Sequence, residues 1–474
     1  MTIDEWERIK NSHSSAIIAP AGHGKTEMIT EIVEKTSGKS LLLTHTNAGV
    51  DAINKRMAKK GISNEKYKVE TIASFCIRWC SAYFNSSSIN LNLSPYSQDK
   101  NEVKQYYDQY YTGAKQLFQN AWAGNILKIT YSRIVVDEYQ DCTIKHHEIF
   151  KMLENYLPLT VLGDPMQGIF GFADSLVDWN NLGFPIIDIQ TYPWRWKKTN
   201  PDLGRYLTTV RNQLLPILSG RKCTIDLSYN PNVCVISPKS FNMYLLLDEL
   251  KVFNSVIYVT KWENQQIDMC TRLGGLFQND EKQECPELFK FAQKFDQYQE
   301  CKLAISALLF IKECATNVTT DLKSYFERLK NNSSDFSRIT KHQDIGQLIK
   351  KVCLSSSLTD VYNLIYSFKD NTSFKIYRKE LYHEMLRSIR YAQEHDDTVF
   401  DSAYHVRKDV HLQRRYTQFK YLSSRTLLSK GLEFDCVIID MKDKLSAKDF
   451  YVAMTRAMKK IYVISSSDKI CFNK

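Results

Sequence analysis

Short apolar runs alternate with amphipathic stretches over the first 170 residues of this chain. Residues 16–18 (AII), 41–44 (LLLT), 134–136 (IVV) and 160–162 (TVL) are compact, β-branched or leucine-rich and bounded by polar residues, the pattern of fully buried strands. Between them, 27–33 predicts a helix, 44–57 a loop followed by a helix, and 69–79 a further strand-to-helix passage. Two of the strands run directly into polar pairs, Asp137-Glu138 and Gly163-Asp164. Strands that end this way predict a parallel sheet with its ligand on the carboxyl edge. Residues 80–129 break the alternation: they are polar, tyrosine-rich and helical in pattern, with Ser86–Ser88 and Pro95 as breaks, and read as a lid inserted into the first unit. Past Thr191 a second unit begins. It has a strand-like run at 252–260, long amphipathic helical stretches such as 287–298 and 302–315, and strands again at 436–439 and 461–464. The expected organisation is an α/β chain with a first domain over 1–190 (lid 80–129), a second over 191–270 plus 405–474, and a helical insertion at 271–404.

At 474 residues the chain exceeds what one core serves, which points to two to four domains. With 43% hydrophobic and 24% charged residues it has the composition of a folded globular protein, and its net charge of +10 suits a polyanionic partner. The 12 cysteines form no Cys-x-x-Cys pair. Cys270, Cys285, Cys301 and Cys314 are evenly and widely spaced, a pattern that reads as free buried thiols rather than an iron–sulfur set. Reduced thiols, a charged N-terminus without an apolar core, and a longest apolar run (303–311) interrupted by Ser306 lead to the expectation of a cytoplasmic protein with no membrane partner.

The stretch APAGHGKT (19–26) lies between the first strand and the first long helix. A strand that breaks into a glycine-containing loop and then a helix is the phosphate cradle of P-loop nucleotidases. Gly22, His23 and Gly24 would let backbone amides turn toward the phosphates. Lys25, expected to face solvent, would reach the β- and γ-phosphates, and the Thr26 hydroxyl would ligate Mg²⁺. In VVDEYQD (135–141) a strand ends on two carboxylates: Asp137 would hold Mg²⁺ through its water shell and Glu138 would orient and deprotonate the attacking water. Gln140 is a candidate contact to the terminal phosphate.

With these segments in order, the chain resembles the UvrD/Rep-like superfamily 1 DNA helicases. APAGHGKT is similar to their first motif, with alanine in place of the first glycine, and THTNAGVDAINKR (44–56), TI-ASF (71–75) and VVDEYQD to the next three. LGDPMQGIFGF (162–172) resembles their GDPxQxIYxF segment, YPWR (192–195) the motif ending in Asn-Tyr-Arg, and SKGLEF (429–434) and YVAMTRA (451–457) the last two. The resemblance implies two RecA-like P-loop domains, parallel sheets flanked by helices, with ATP between them. It further implies that Gln167 senses the γ-phosphate, that Arg195 and Arg456 reach it from the second domain, and that Glu433 contacts the ribose. A stacked structural cation between Trp194 and Trp196 is the rival role for Arg195.

The same family presents aromatic side chains to single-stranded DNA. His45 and Phe172 stand at the stacking positions, and Thr46, Asn47, Ser74 and Lys430 at backbone-contact positions, each with a local structural role as its alternative. The run RRYTQFKYLSSR (414–425) mixes cations and aromatics and reads as a nucleic-acid face or a solvated helix face. Departures from the family are definite: no glutamine precedes Ala19, Arg425-Thr426-Leu427 stands where Thr-x-His is usual, and Ala173 replaces an arginine. Two activities follow as expectations. One is an ATP-dependent helicase or translocase on single-stranded DNA. The other is a regulatory subunit that senses nucleotide and DNA junctions or ends and controls a separate nuclease, similar to the helicase-like component of antiphage systems such as Gabija.

Overall fold

The structure, a computed structural model, describes residues 1–93, 99–170, 174–281, 285–413 and 419–473. They form two compact units, one of residues 1–235, 445–461 and 467–474 and the other of residues 236–444 and 462–466. No helix among the described residues is long and apolar enough to cross a membrane.

The first unit is built on a five-stranded sheet of β1 (Ser14–Ile18), β2 (Ser40–Thr44), β3 (Tyr67–Thr71), β4 (Arg133–Val136) and β5 (Leu159–Gly163), in the order β1-β5-β4-β2-β3. Every pairing is parallel, with Ala16 opposite Val161, Val135 opposite Thr160 and Leu42 opposite both Val135 and Val69. Every residue of β2, β4 and β5 is buried, which is why these strands read as unbroken apolar runs. Side chains alternate between two cores. Ile17, Leu42, Val135 and Leu162 pack with Ile29 and Val33 of the helix Lys25–Lys35 on one face. Ala16, Leu43, Val136 and Val161 pack with Phe75, Trp79, Phe118 and Phe150 on the other.

The segment expected as a lid lies in that second core. Its helices Lys100–Phe118 and Ala121–Thr130 contribute Ala114, Leu117, Phe118, Ala123 and Leu127, and Phe118 stacks on Phe75 with centroids 5.7 Å apart. Its tyrosines supplied the polar look, but the buried face repeats at helical spacing. Because β5 lies between β1 and β4, the loop after β1, the carboxylates after β4 and Asp164 after β5 leave the sheet on the same carboxyl edge.

Further along the chain come β6 (Cys223–Asp226), β7 (Val233–Ile236), β8 (Val256–Thr260), β9 (Gln278–Asn279), β10 (Tyr421–Arg425), β11 (Phe434–Asp440), β12 (Ala457–Ile464) and β13 (Lys469–Phe472). The second sheet has the order β7-β12-β11-β8-β10-β9, and β8 is flanked in parallel by β10 and β11. β13 and β6 form an antiparallel ribbon. The chain is therefore α/β with two sheets of parallel character flanked by helices, as expected. Residues 421–425 correct the reading of 414–425 as a helix face: they are a strand whose Leu422, Ser423 and Ser424 are buried, while 414–418 lie outside the described residues. Serines at the middle of the strand hid it. Ser423 is accommodated there by donating to the Gln266 carbonyl at 3.0 Å.

Helices between Pro286 and Gln413 enclose a separate core of the second unit, with Phe291, Leu308, Phe310, Tyr325, Ile349, Tyr382 and Met385 at its centre. Cys285, Cys301 and Cys314 are buried in it and Cys270 is buried nearby in sequence; all four are free thiols.

At the edge of this core the Glu281 side chain is 2% exposed and lies 3.5 Å from Arg378 Nε. Burial raises its pKa to about 8, and the facing Arg378 and the Leu381 amide offset that only in part. The folded unit therefore keeps a proton that an unfolded glutamate, with its ordinary value of 4.5, has lost. The stability tied to that proton is complete below pH 4.5 and declines as pH rises toward 8. Urea denaturation of the second unit's transition is expected to show this decline in wild type and a flatter profile in Glu281→Gln. Equal slopes in the two proteins would contradict the assignment.

Candidate functional site

The loop after β1 is shaped by two glycines in left-handed conformation, Gly22 (φ 70°) and Gly24 (φ 88°), the second capping the helix Lys25–Lys35. A Cβ on Gly22 would come within 2.7 Å of the Trp196 ring, and one on Gly24 within 3.1 Å of Trp194. The segment Trp194–Trp196 thus closes over the loop, and the Arg195 amide donates to the Gly22 carbonyl at 3.0 Å. Trp196 is fully buried and donates through Nε1 to the Ala457 carbonyl at 2.6 Å. Arg195 donates through Nη1 to the Thr455 carbonyl at 2.7 Å and lies over the Trp196 ring at 5.5 Å. Trp194 instead carries Lys197, 4.5 Å from its ring. The stacking read from YPWRW is present with Trp196.

Lys25 is not solvent-facing. Its side chain is 11% exposed, and Nζ lies 2.7 Å from Glu138 Oε1 in an ion pair without an aligned hydrogen-bond acceptor. Burial works against the charged amine, but Glu138, Asp137 and Asp164 together hold its pKa above the ordinary lysine value. Thr26 is half-buried in the first turn of the same helix. Asp137 is buried and accepts the Glu138 amide at 2.9 Å, while Glu138 itself takes a left-handed backbone (φ 56°), a strained setting for a non-glycine residue.

Gln140 does not face outward. Its amide donates to Glu138 Oε2, and its carbonyl accepts the Asp164 amide at 3.0 Å, so it couples the ends of β4 and β5. Asp164 is fully buried and gathers side-chain donors from three segments of the chain. Arg211 donates to it through Nη2 (2.7 Å) and Nε (3.1 Å), Gln167 through Nε2 (3.2 Å) and Tyr451 through its hydroxyl (3.2 Å). The same Tyr451 oxygen accepts the Ala21 amide at 3.3 Å. His23 is buried, with Nδ1 2.9 Å from the Ala21 carbonyl and Nε2 3.3 Å from Thr208 Oγ1; burial, with Arg211 and Arg195 adding to it, lowers its pKa. Arg456 is 2% exposed and donates to the Val452 carbonyl and the Thr455 hydroxyl, both at 3.0 Å.

Lys25, Thr26, Asp137, Glu138, Gln167, Arg195 and Arg456 thus all belong to the first compact unit. Glu433 and Lys430 belong to the second, on the segment leading into β11; Glu433 is exposed and Lys430 half-buried. Among the nucleic-acid candidates, Thr46 caps the helix Asn47–Lys59 by accepting the Gly49 amide, and Asn47 is exposed at its start. Ser74 is exposed in the first turn of the helix Ile72–Ala82. His45 is half-buried, and Phe172 lies outside the described residues. A turned glycine loop at a helix N-terminus, with a lysine, a hydroxyl and two carboxylates facing it, fits a nucleoside triphosphate with a divalent cation: the amides and Lys25 suit phosphate oxygens, and Thr26 with Asp137 the metal.

A family model covers the segment that holds this cradle. Residues 6–173 match the AAA domain family, a segment holding the P-loop, Asp137, Glu138 and Gln167. Among solved structures, the chain is similar to arterivirus nonstructural protein 10, a helicase in complex with DNA, at 9% identity and a TM-score of 0.35. That similarity covers 98% of this chain and 63% of the other, so the chain spans less than two thirds of its length. No curated protein matches.

Arg211, Tyr451 and the central part played by Asp164 were not legible as site features in the sequence. Asp164 and Tyr451 lie inside recognised motifs, whereas Arg211 sits in the amphipathic helix Pro201–Leu214 with no local signal. Removing either partner of the Arg211–Asp164 pair strands a buried charge. Arg211→Ala and Asp164→Asn are each expected to lower the first unit's unfolding free energy in urea by about 3–5 kcal/mol. The double variant should lose clearly less than the sum, and strict additivity would contradict the coupling.

Proposed function

We propose that the chain is an ATP-dependent motor of the UvrD/Rep-like superfamily 1 type that moves on single-stranded DNA. The observation that carries this reading is the Lys25–Glu138 ion pair of 2.7 Å at the start of a P-loop helix, with Asp137, Gln140 and Gln167 tied into one network beside it. In this reading Lys25 exchanges Glu138 for phosphate oxygens, and Glu138, released, aligns and deprotonates the attacking water. Thr26 and Asp137 hold Mg²⁺, whose charge offsets that of the phosphates. Gln167, oriented by Asp164, senses the γ-phosphate, while Arg195 and Arg456 supply positive charge to the transition state and Glu433 contacts the ribose. This reading divides the chain functionally into 1–190, with a lid at about 80–129, and 191–270 plus 405–474, with 271–404 as an insertion, whereas the compact units group Arg195 and Arg456 with Lys25. His45, Thr46, Asn47, Ser74 and Lys430, with Phe172 by its place in the sequence, are the candidate contacts to the DNA.

The shared peptide framework favours coupling between nucleotide and arginine. Arg195 bonds through its backbone to Gly22 and through its side chain to Thr455, the residue before Arg456. A shift of the cradle is therefore transmitted to both arginines.

Phosphate release measured with and without single-stranded DNA tests the proposal. Wild type should hydrolyse ATP with DNA stimulation, and Glu138→Gln should abolish turnover and strand movement together. Arg456→Ala should keep nucleotide binding while losing about 10³-fold or more in turnover. Negligible turnover by wild type, together with activation of a separate nuclease, would overturn the motor reading in favour of the Gabija-like regulatory one.

A further inference from the structure

Three donor groups that the nucleotide chemistry does not use meet beside the carboxyl edge of the first sheet. His45 follows β2, Cys142 follows the turn Tyr139–Asp141 after β4, and His146 lies in the first turn of the helix Ile144–Leu153. One ligand atom from each, two imidazole nitrogens and a thiol sulfur, all lie within 4.8 Å of one another. His45 Nε2 and Cys142 Sγ are 3.4 Å apart. A zinc-class ion with metal–sulfur and metal–nitrogen bonds of roughly 2.3 and 2.0 Å in tetrahedral array separates such co-ligands by about 3.6 Å. The pair already has that spacing.

Burial points the same way. Cys142 is fully buried, and His146 is 7% exposed with Nε2 buried and without a hydrogen-bond partner. An imidazole nitrogen in that setting is unusual, because buried polar atoms are nearly always paired. The rings of His45 and His146 stand 5.5 Å apart at 58°, and Tyr111 packs edge-on to His146 at 4.5 Å, which limits how the ring can turn away.

We propose that His45, Cys142 and His146 bind a single transition-metal ion of the zinc class, with three protein ligands and a fourth position open. A thiolate with two imidazoles selects zinc-like ions over Mg²⁺ or Ca²⁺, so this site is chemically distinct from the Thr26–Asp137 site. Binding converts the Cys142 thiol to thiolate and releases its proton to solvent. The Thr143 amide donates to His146 Nδ1 at 3.2 Å, which places the neutral ring's proton on Nε2. Ligation through Nε2 therefore moves that proton to Nδ1 and ends the Thr143 bond, one long hydrogen bond exchanged for a metal–nitrogen bond. The bound ion fixes His45 and, through it, the start of the helix Asn47–Lys59.

Cobalt titration of the full chain after chelator treatment tests the proposal. Wild type should take up one Co²⁺ with a thiolate-to-cobalt charge-transfer band, Cys142→Ser should lose that band, and His146→Ala should bind at least tenfold more weakly. Should Cys142→Ser fail to fold, the half-buried His45→Ala supplies the decision, with a loss of tenfold or more in cobalt affinity expected and unchanged affinity overturning the site. Absence of the band in wild type, or its survival in a folded Cys142→Ser, where one of the other 11 cysteines must then be the ligand, also overturns it.

Discussion

Charge balance at the carboxyl edge of the first sheet is the constraint on which the rest depends. Two cations, Lys25 and Arg211, and three carboxylates, Asp137, Glu138 and Asp164, are gathered there, all but Glu138 largely shielded from water. Buried charges persist only when paired and hydrogen-bonded. The pairing is divided: Arg211 takes Asp164 through two nitrogens, and Lys25 takes Glu138 through a single contact. The first is structural in character, fully enclosed and joined by Tyr451 and Gln167. The second sits at a partly exposed mouth, with Glu138 30% exposed, where a phosphate can compete for the amine.

This arrangement explains why distant segments of the chain are held together. Asp164 collects donors from residues 167, 211 and 451, and Tyr451 passes the connection to the Ala21 amide in the phosphate loop. Trp196 does the same by packing: it fills the space over Gly22 and bonds to the Ala457 carbonyl. A side chain on Gly22 would therefore strain the loop twice, through its positive φ and through the indole. The loop is preorganised by neighbours, so its amides need little rearrangement to meet an anion.

Much of this was legible in the sequence because two-sided burial writes itself plainly. β1, β2, β4 and β5 are parallel strands covered on both faces, and each appears as an apolar run ending on the residues that matter. What the sequence concealed was three-dimensional pairing. Lys25 looked solvent-facing because its partner is 113 positions away, and the sequence does not show that Gln140, while bonding Glu138 two residues away, also takes the Asp164 amide 24 positions on. β10 was hidden by serines whose hydroxyls are satisfied internally. The tyrosine-rich helix Lys100–Phe118 hid its packed face because tyrosine is both polar and packable. Arg211 carries no motif, and only the fold reveals that it neutralises Asp164.

Lys25 is held by Glu138 and, in the proposed cycle, leaves it to take a phosphate. Calorimetric affinity for a non-hydrolysable ATP analogue, compared between wild type and Glu138→Gln, tests this directly. Loss of a charge-assisted contact of about 1.5 kcal/mol or more should free the amine and tighten binding by roughly tenfold. Equal or weaker binding by the variant would contradict the account.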